Sequence, residues 1–259
     1  MKLKFEINKY ELVAQVFRLR YKYPDFLKYW ESLEKRLISK YKNEPAFYLL
    51  YLKYNDWGLR MILFGTEKKN FKKSFGNAGL SLEKISLEIF KSREFLRTYS
   101  ETEKYLNEIK KQWKKNEKCV FNYFEKILGL NLNNQNIKIY IFHPDIYNGR
   151  SESELNIILW SHPEEWKNYN SVYIAHEILH ILLDNKISDG EYEIMHTIIE
   201  LATDYELKKR LNEKGGDITI GHEYLLKNRK RLLPHWNEYI KNPTNILDFY
   251  KKAKKILKK

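Results

Sequence analysis

The stretch 171–183, SVYIAHEILHILL, constrains this chain most, because it combines an apolar helical pattern with the motif H-E-x-x-H. It contains no Pro or Gly, and its only ionisable side chains other than Tyr173 belong to the motif. On a helix, His176 and His180 project from one face and can grip one metal ion. Glu177 points to the edge of that face, where its carboxylate can reach a water molecule beside the metal. The pattern therefore predicts a buried helix that turns one polar face towards a zinc site.

A catalytic zinc ion takes three protein ligands and leaves its fourth position to water, so a third ligand must lie elsewhere in the chain. Nineteen residues separate His180 from Glu200, which lies in a second predicted helix, 191–206. Asp204 follows Glu200 by four residues and is expected on the same helix face. We predict Glu200 as the third ligand, and His196 on the same helix remains an alternative.

These residues resemble the thermolysin-like gluzincin metallopeptidases, in which H-E-x-x-H supplies two zinc ligands and a glutamate on the next helix supplies the third. The likeness covers roughly positions 136 to 225, and its specific part is 172 to 204. It implies a peptidase with one Zn²⁺ per chain and a defined set of residues: His176, His180 and Glu200 as ligands, Glu177 as general base, and Asp204 beside a ligand histidine.

The resemblance also implies residues that act on the substrate. Thermolysin-like enzymes place a histidine downstream to stabilise the oxyanion of the transition state, and His222 is similar to it in position. Tyr224 and His235 are the alternatives for this role. In the same family an edge strand before the zinc helix pairs with the substrate backbone, and 155–160 is the candidate for that strand.

A different zinc arrangement fails on the residues that follow the motif. Metzincins continue their helix as H-x-x-G-x-x-H, with the second histidine as the third ligand. Leu183 stands where that glycine belongs, and Lys186 stands where that histidine belongs.

The rest of the chain predicts an α+β fold that is predominantly α-helical. Apolar residues at three- and four-residue spacing predict helices at 11–21, 24–41, 45–64, 80–99, 101–128, 221–233 and 244–259, with a basic loop at 66–76 and Pro234 as the stop of the sixth helix. Alternating or β-rich runs predict strands at 136–143 and 155–160. We divide the chain into a helical N-terminal region, 1–130, and a zincin-like catalytic domain with a small sheet, 131–259. The first region is interpreted as a substrate platform, a lid or an inhibitory segment.

Composition and cysteine content indicate the cellular compartment in which the protein is expected. The chain is 43% hydrophobic, which suffices for a substantial core. The single Cys119 excludes an internal disulfide and is typical of a reducing compartment; we expect it to be a buried structural residue. The N-terminus lacks the pattern of a signal peptide, and no apolar run approaches the roughly 20 residues of a membrane span. The sequence thus predicts a cytoplasmic protein without a membrane span.

The net charge of +13 favours anionic partners, but the lysines are spread along the chain and no nucleic-acid recognition motif accompanies them. We therefore expect a zinc-dependent endo- or exopeptidase that acts on a peptide or protein substrate, and leave the oligomeric state open. Two alternatives remain. One is a non-catalytic binding protein on a zincin scaffold, and the other is a basic nucleic-acid-binding protein in which the motif is coincidental.

Overall fold

The computed structural model describes residues 1–19, 28–44, 77–146, 148–188, 190–212 and 221–258. Their strands are β1 (Lys2–Glu6), β2 (Asn136–Ile141), β3 (Asn148–Glu152) and β4 (Ile157–Ser161). Their helices are α1 (Lys9–Leu19), α2 (Glu31–Tyr41), α3 (Asn77–Phe90), α4 (Arg93–Lys126), α5 (Tyr169–Leu183), α6 (Tyr192–Glu200), α7 (Leu226–Lys241) and α8 (Ile246–Leu257). The predicted helix 45–64 and the basic loop 66–76 lie outside the described residues. A mainly helical α+β fold with a small sheet is confirmed.

The sheet has the order β1-β2-β4-β3. Strands β1, β2 and β4 run parallel, and β3 pairs antiparallel with β4. The sequence reading missed β1, because its five residues form too short an alternation to stand out beside the helical pattern that follows. Since β1 pairs with β2, residues from both sides of position 130 form one sheet.

Helices cover both faces of this sheet, as the alternating side chains of its strands dictate. On one face, Ile139 and Trp160 pack into a core with α4, α5, α6, α7 and α8. On the other face, Tyr140 and Leu159 pack with α1, α2, α3 and the start of α4. The long helix α4 contributes to both cores. Ser92 caps its N-terminus, where the Oγ atom accepts a hydrogen bond from the Phe95 N–H at 3.1 Å.

Helix α5 is the central element of the first core. Thirteen of its fifteen residues are buried, so the buried helix predicted at 171–183 is confirmed. After a short turn α6 packs on α5 and continues beyond Glu200 as a π-helical segment, Leu201–Leu207, and a last α-helical turn, Lys208–Asn212. We use α6 for this whole element, 192–212. π-Helical turns are rare and often mark functional sites.

Several sequence predictions were wrong, among them the helix break at position 100, since α4 runs unbroken from Arg93 to Lys126. Strand β4 lies between β2 and β3, so the candidate segment 155–160 has no free edge for a substrate. Pro234 does not end its helix, because α7 continues through it to Lys241, held by the buried side chains of Leu232 and Trp236. Cys119 is exposed, because it lies on the outer face of α4.

Candidate metal centre

Helices α5 and α6 run antiparallel, and this brings their histidines together. The ring of His180, near the end of α5, stacks on Tyr192 at the start of α6, with ring centres 5.8 Å apart. His176, one turn earlier, contacts Asp204 in the following π-helical segment. His196 lies between these two contacts, with its ring 4.8 Å from that of His180.

The two motif histidines face each other through their Nε2 atoms, which are 3.2 Å apart. Nδ1 of His176 lies 3.0 Å from Oδ1 of Asp204, and Nδ1 of His180 lies 3.1 Å from Oδ1 of Asp184. A carboxylate only accepts hydrogen bonds, so each Nδ1 carries a hydrogen and Nε2 is the nitrogen that each ring turns towards the other. Two lone pairs at this distance repel each other unless a proton or a metal ion lies between them.

His196 supplies the third nitrogen of this cluster. The metal-ligating atoms of His176, His180 and His196 all lie within 4.8 Å of one another, and all three residues are buried. Nε2 of His196 is buried without a hydrogen-bond partner, whereas its Nδ1 lies 3.3 Å from the hydroxyl oxygen of Tyr224. Such an unpartnered buried nitrogen is uncommon in proteins, and coordination of a metal ion would satisfy it.

The charges of the site determine which rings are protonated. Burial lowers the pKa of His176, but the charge and hydrogen bond of Asp204 more than offset this effect and raise that pKa to about 9. Burial, together with the neighbouring histidines, lowers the pKa of His196 to about 2. His196 is therefore a neutral ring at physiological pH, which is the form that binds metals.

The distances and charges fit a zinc ion. Two nitrogen ligands of tetrahedral zinc, each about 2.0–2.1 Å from the ion, lie about 3.4 Å apart, close to the 3.2 Å between the Nε2 atoms of His176 and His180. The charges around the cluster also favour a cation. In the described part of the chain, the carboxylates of Glu177, Asp184, Glu200 and Asp204 lie near the histidines, and the guanidinium of Arg229 pairs with Glu200.

Glu200 occupies a different position from the one predicted for a ligand. Its carboxylate lies with His196 and His222 in a second group of possible ligand atoms. It is not part of the first group, which contains His176 and His180. Its carboxylate is fully buried and pairs with Arg229, with Oε2 2.9 Å from a guanidinium nitrogen. Oε1 accepts from the backbone N–H of His222 at 2.6 Å and from its Nδ1 at 2.9 Å. The alternative, His196, is thus the residue that the structure places beside the two motif histidines.

Gly221 allows this close approach to Glu200. A Cβ atom at this position would lie 2.2 Å from the carboxylate, which leaves no room for any other residue beside the ion pair.

The two candidate oxyanion residues differ in their contacts. The side chain of His222 is 54% exposed, its ring centre lies 4.6 Å from that of His196, and Nδ1 is occupied by Glu200, so its Nε2 is the atom left for a substrate. The hydroxyl of Tyr224 instead lies beside His196, which suits it to orienting that ring. His235 belongs to neither group of ligand atoms.

Glu177 lies at the edge of the cluster. It is half-buried, and among the described residues its carboxylate has no hydrogen-bond or salt-bridge partner. A free carboxylate one residue after His176 is available to take a proton from a water molecule at the cluster.

Three residues of the site were missed in the sequence. Asp184 follows His180 by four residues, a spacing that could have revealed it. Tyr192 packs over His180 and His196 with its side chain half exposed, and burial raises its pKa to about 12. Arg229 gave no local signal, because only the fold brings it to Glu200.

Comparison with known proteins gives no relative: no protein-family model, no curated protein and no solved structure matches this chain. A gluzincin relationship therefore stays a prediction. In the part of the chain that the structure describes, no helix is both long enough and apolar enough to cross a membrane.

Proposed function

We propose that the protein is a zinc-dependent peptidase in which His176, His180 and His196 hold one zinc ion. The observation that carries this proposal is the convergence of three buried histidines. Two of them have their Nδ1 atoms fixed by carboxylates, and the third has an unpartnered Nε2. Carboxylates that hold the outer nitrogen of a ligand histidine are a general feature of zinc sites. Asp204 and Asp184 are assigned this role.

When bound, zinc would supply Lewis-acid chemistry, which polarises a carbonyl group and lowers the pKa of a coordinated water to about 7. Glu177 would take the proton of the attacking water and pass it to the leaving amine. Its lack of any other partner supports this assignment, because a carboxylate held in an ion pair is a weaker base.

His222 would stabilise the developing oxyanion. When protonated, it donates from Nε2 to the substrate while Nδ1 stays on Glu200. The buried Arg229 holds Glu200 in place, so Glu200 acts as a positioning residue for His222 rather than as a metal ligand.

A peptide substrate is supported by strand β3. It is the last strand in the order of the described sheet, and it contacts helix α5. An extended peptide can bind such an edge through backbone hydrogen bonds and lie beside the zinc helix. This assigns to β3 the role first predicted for 155–160.

The test is cleavage of a mixture of unstructured peptides, followed by mass spectrometry. We expect cleavage by the zinc-loaded protein, loss of cleavage after 1,10-phenanthroline treatment, and recovery with zinc but not with magnesium, which prefers oxygen ligands. Cleavage that persists without metal, or no cleavage by a fully zinc-loaded protein, would contradict the proposal. The zincin-like domain and the cytoplasmic location stay predictions.

A further inference from the structure

A basic groove lies on the outer face of α4, at its C-terminal half. It has a volume of 720 Å³ and is lined by Lys115, Lys118, Cys119, Asn122, Tyr123, Lys126, Ile127 and Arg210. We call this surface the α4 groove. Four of its eight lining residues are cationic and none is acidic, so its electrostatic potential is expected to be positive.

The lysines of the α4 groove are not neutralised by the protein. Lys115, Lys118 and Lys126 have no carboxylate within salt-bridge distance among the described residues, and all three are exposed. Arg210 does pair with Glu206, at 2.7 Å, and packs over the ring of Tyr123. Like charges one turn apart on a helix repel each other, and Lys115 and Lys118 have this spacing, so an anionic partner would relieve this repulsion.

The lysine row has the length of a macromolecular contact. Lys115 to Lys126 spans about 16 Å along the helix axis at about 1.5 Å per residue. Lys111 and Lys114 are also exposed and extend the positive face by one turn, whereas the exposed Glu125 lies on the same helix outside the groove lining. A ligand with charges repeated along its length fits this surface better than a single small anion.

We infer that the α4 groove binds the phosphate backbone of a duplex nucleic acid. Duplex DNA carries about one negative charge per 1.7 Å of axis, so it presents phosphates along the whole length of the lysine row. Single-stranded nucleic acid is usually bound with exposed aromatic side chains that stack on bases, but Tyr123, the groove's aromatic residue, is only 3% exposed. A membrane surface usually requires exposed apolar residues among the cations. Among the residues that the structure describes, the exposed large hydrophobic side chains are Leu87, Leu96, Tyr192 and Tyr224, and none of them lines the groove.

The binding is expected to be independent of sequence. Lysine is a point charge without the planar pair of donors that reads base edges, and three of the four groove cations are lysines. Its signature is a strong dependence on salt, since each phosphate neutralised contributes about −0.9 to the slope of log affinity against log salt.

The experiment measures fluorescence anisotropy of labelled 20-base-pair DNA and RNA duplexes with the full chain, in the presence of chelator, between 50 and 200 mM salt. The test variant is Lys115→Gln/Lys118→Gln/Lys126→Gln. The matched control, Lys230→Gln/Lys252→Gln/Lys255→Gln, removes the same charge from exposed positions of α7 and α8. The chelator removes the metal on which the proposed peptidase activity depends. Binding at the α4 groove does not involve the metal centre, so the two proposals can fail independently.

We expect the groove variant to bind duplex at least tenfold more weakly than wild type at 100 mM salt, with a salt slope smaller in magnitude by about 3, and the control to change Kd less than threefold. Circular dichroism must show both variants folded. Equal weakening in both variants would mean that net charge alone attracts the duplex and would overturn the inference. Absent duplex binding, or tighter binding to phosphatidylserine vesicles or polyglutamate that the groove variant loses, would overturn it as well.

Discussion

Glu177→Gln is expected to lower the rate of peptide cleavage by about 10²- to 10⁴-fold while leaving zinc content at the wild-type value. Glutamine has nearly the shape of glutamate but cannot accept a proton from water at neutral pH. Because the Glu177 carboxylate has no hydrogen-bond or salt-bridge partner among the described residues, its replacement should disturb neither helix α5 nor the histidines. The measurement is the initial rate on the best peptide found by mass spectrometry, alongside elemental analysis.

The matched control is Glu193→Gln, which removes the same charge from the exposed face of α6. It should keep the rate within about twofold, since surface substitutions rarely perturb a site. A Glu177→Gln protein with wild-type turnover would remove Glu177 as the general base. Equal losses in both variants would show that general electrostatics, not proton transfer, accounts for the effect.

Arg229→Met is expected to lower the free energy of unfolding by about 3–5 kcal/mol, the largest stability effect of any single replacement considered. Both members of the Glu200–Arg229 pair are buried, with the Arg229 side chain 6% exposed and that of Glu200 0%. Removing the cation leaves a carboxylate in a low-dielectric core without its counter-charge. Urea unfolding, followed by circular dichroism in the presence of chelator, measures the change without a contribution from bound metal.

Two further variants define the cause. Arg231→Met, two residues along the same helix, removes an exposed arginine that donates to backbone carbonyls near the end of α8, and should cost below about 1 kcal/mol. Arg229→Met combined with Glu200→Met should recover much of the loss, because an apolar pair carries no buried charge. A cost for Arg229→Met no larger than that for Arg231→Met would show that the ion pair does not stabilise the fold.

The sequence predicted the parts of the site that depend on local spacing. His176 and His180 are one turn apart on one helix, so their shared face follows from helix geometry alone. The absence of charge around them predicted that α5 is buried, as it is. The contact between Asp204 and His176 is present. The spacing did not reveal that the Glu200 carboxylate would form an ion pair with Arg229.

The choice between Glu200 and His196 could not be made from sequence, because it depends on the axial register between helices α5 and α6. One helical turn separates the two residues, and either could face the motif histidines in an antiparallel pair. The stacking of Tyr192 on His180 fixes this register and places His196 beside them. Arg229 comes from a helix further along the chain, and no local pattern links it to Glu200.

The sheet shows the same limit. The β-rich composition of 136–143 and 155–160 identified two strands, but their order depends on pairing between distant segments. Strand β1, at the N-terminus, pairs with β2, and β3 takes the edge that β4 was expected to have. At Pro234 the local rule failed because packing of Leu232 and Trp236 outweighs the lost backbone hydrogen bond.

Zinc content by elemental analysis tests the central claim most directly, with wild type compared with His196→Ala and Glu200→Gln, each purified without chelator. We predict about one zinc per chain in wild type and in Glu200→Gln. We predict far less zinc in His196→Ala, because only this variant lacks one of the three proposed zinc ligands. Circular dichroism confirms that each variant is folded. The opposite result, zinc retained without the His196 ring and lost from Glu200→Gln, would restore Glu200 as the third ligand and contradict the His176–His180–His196 centre.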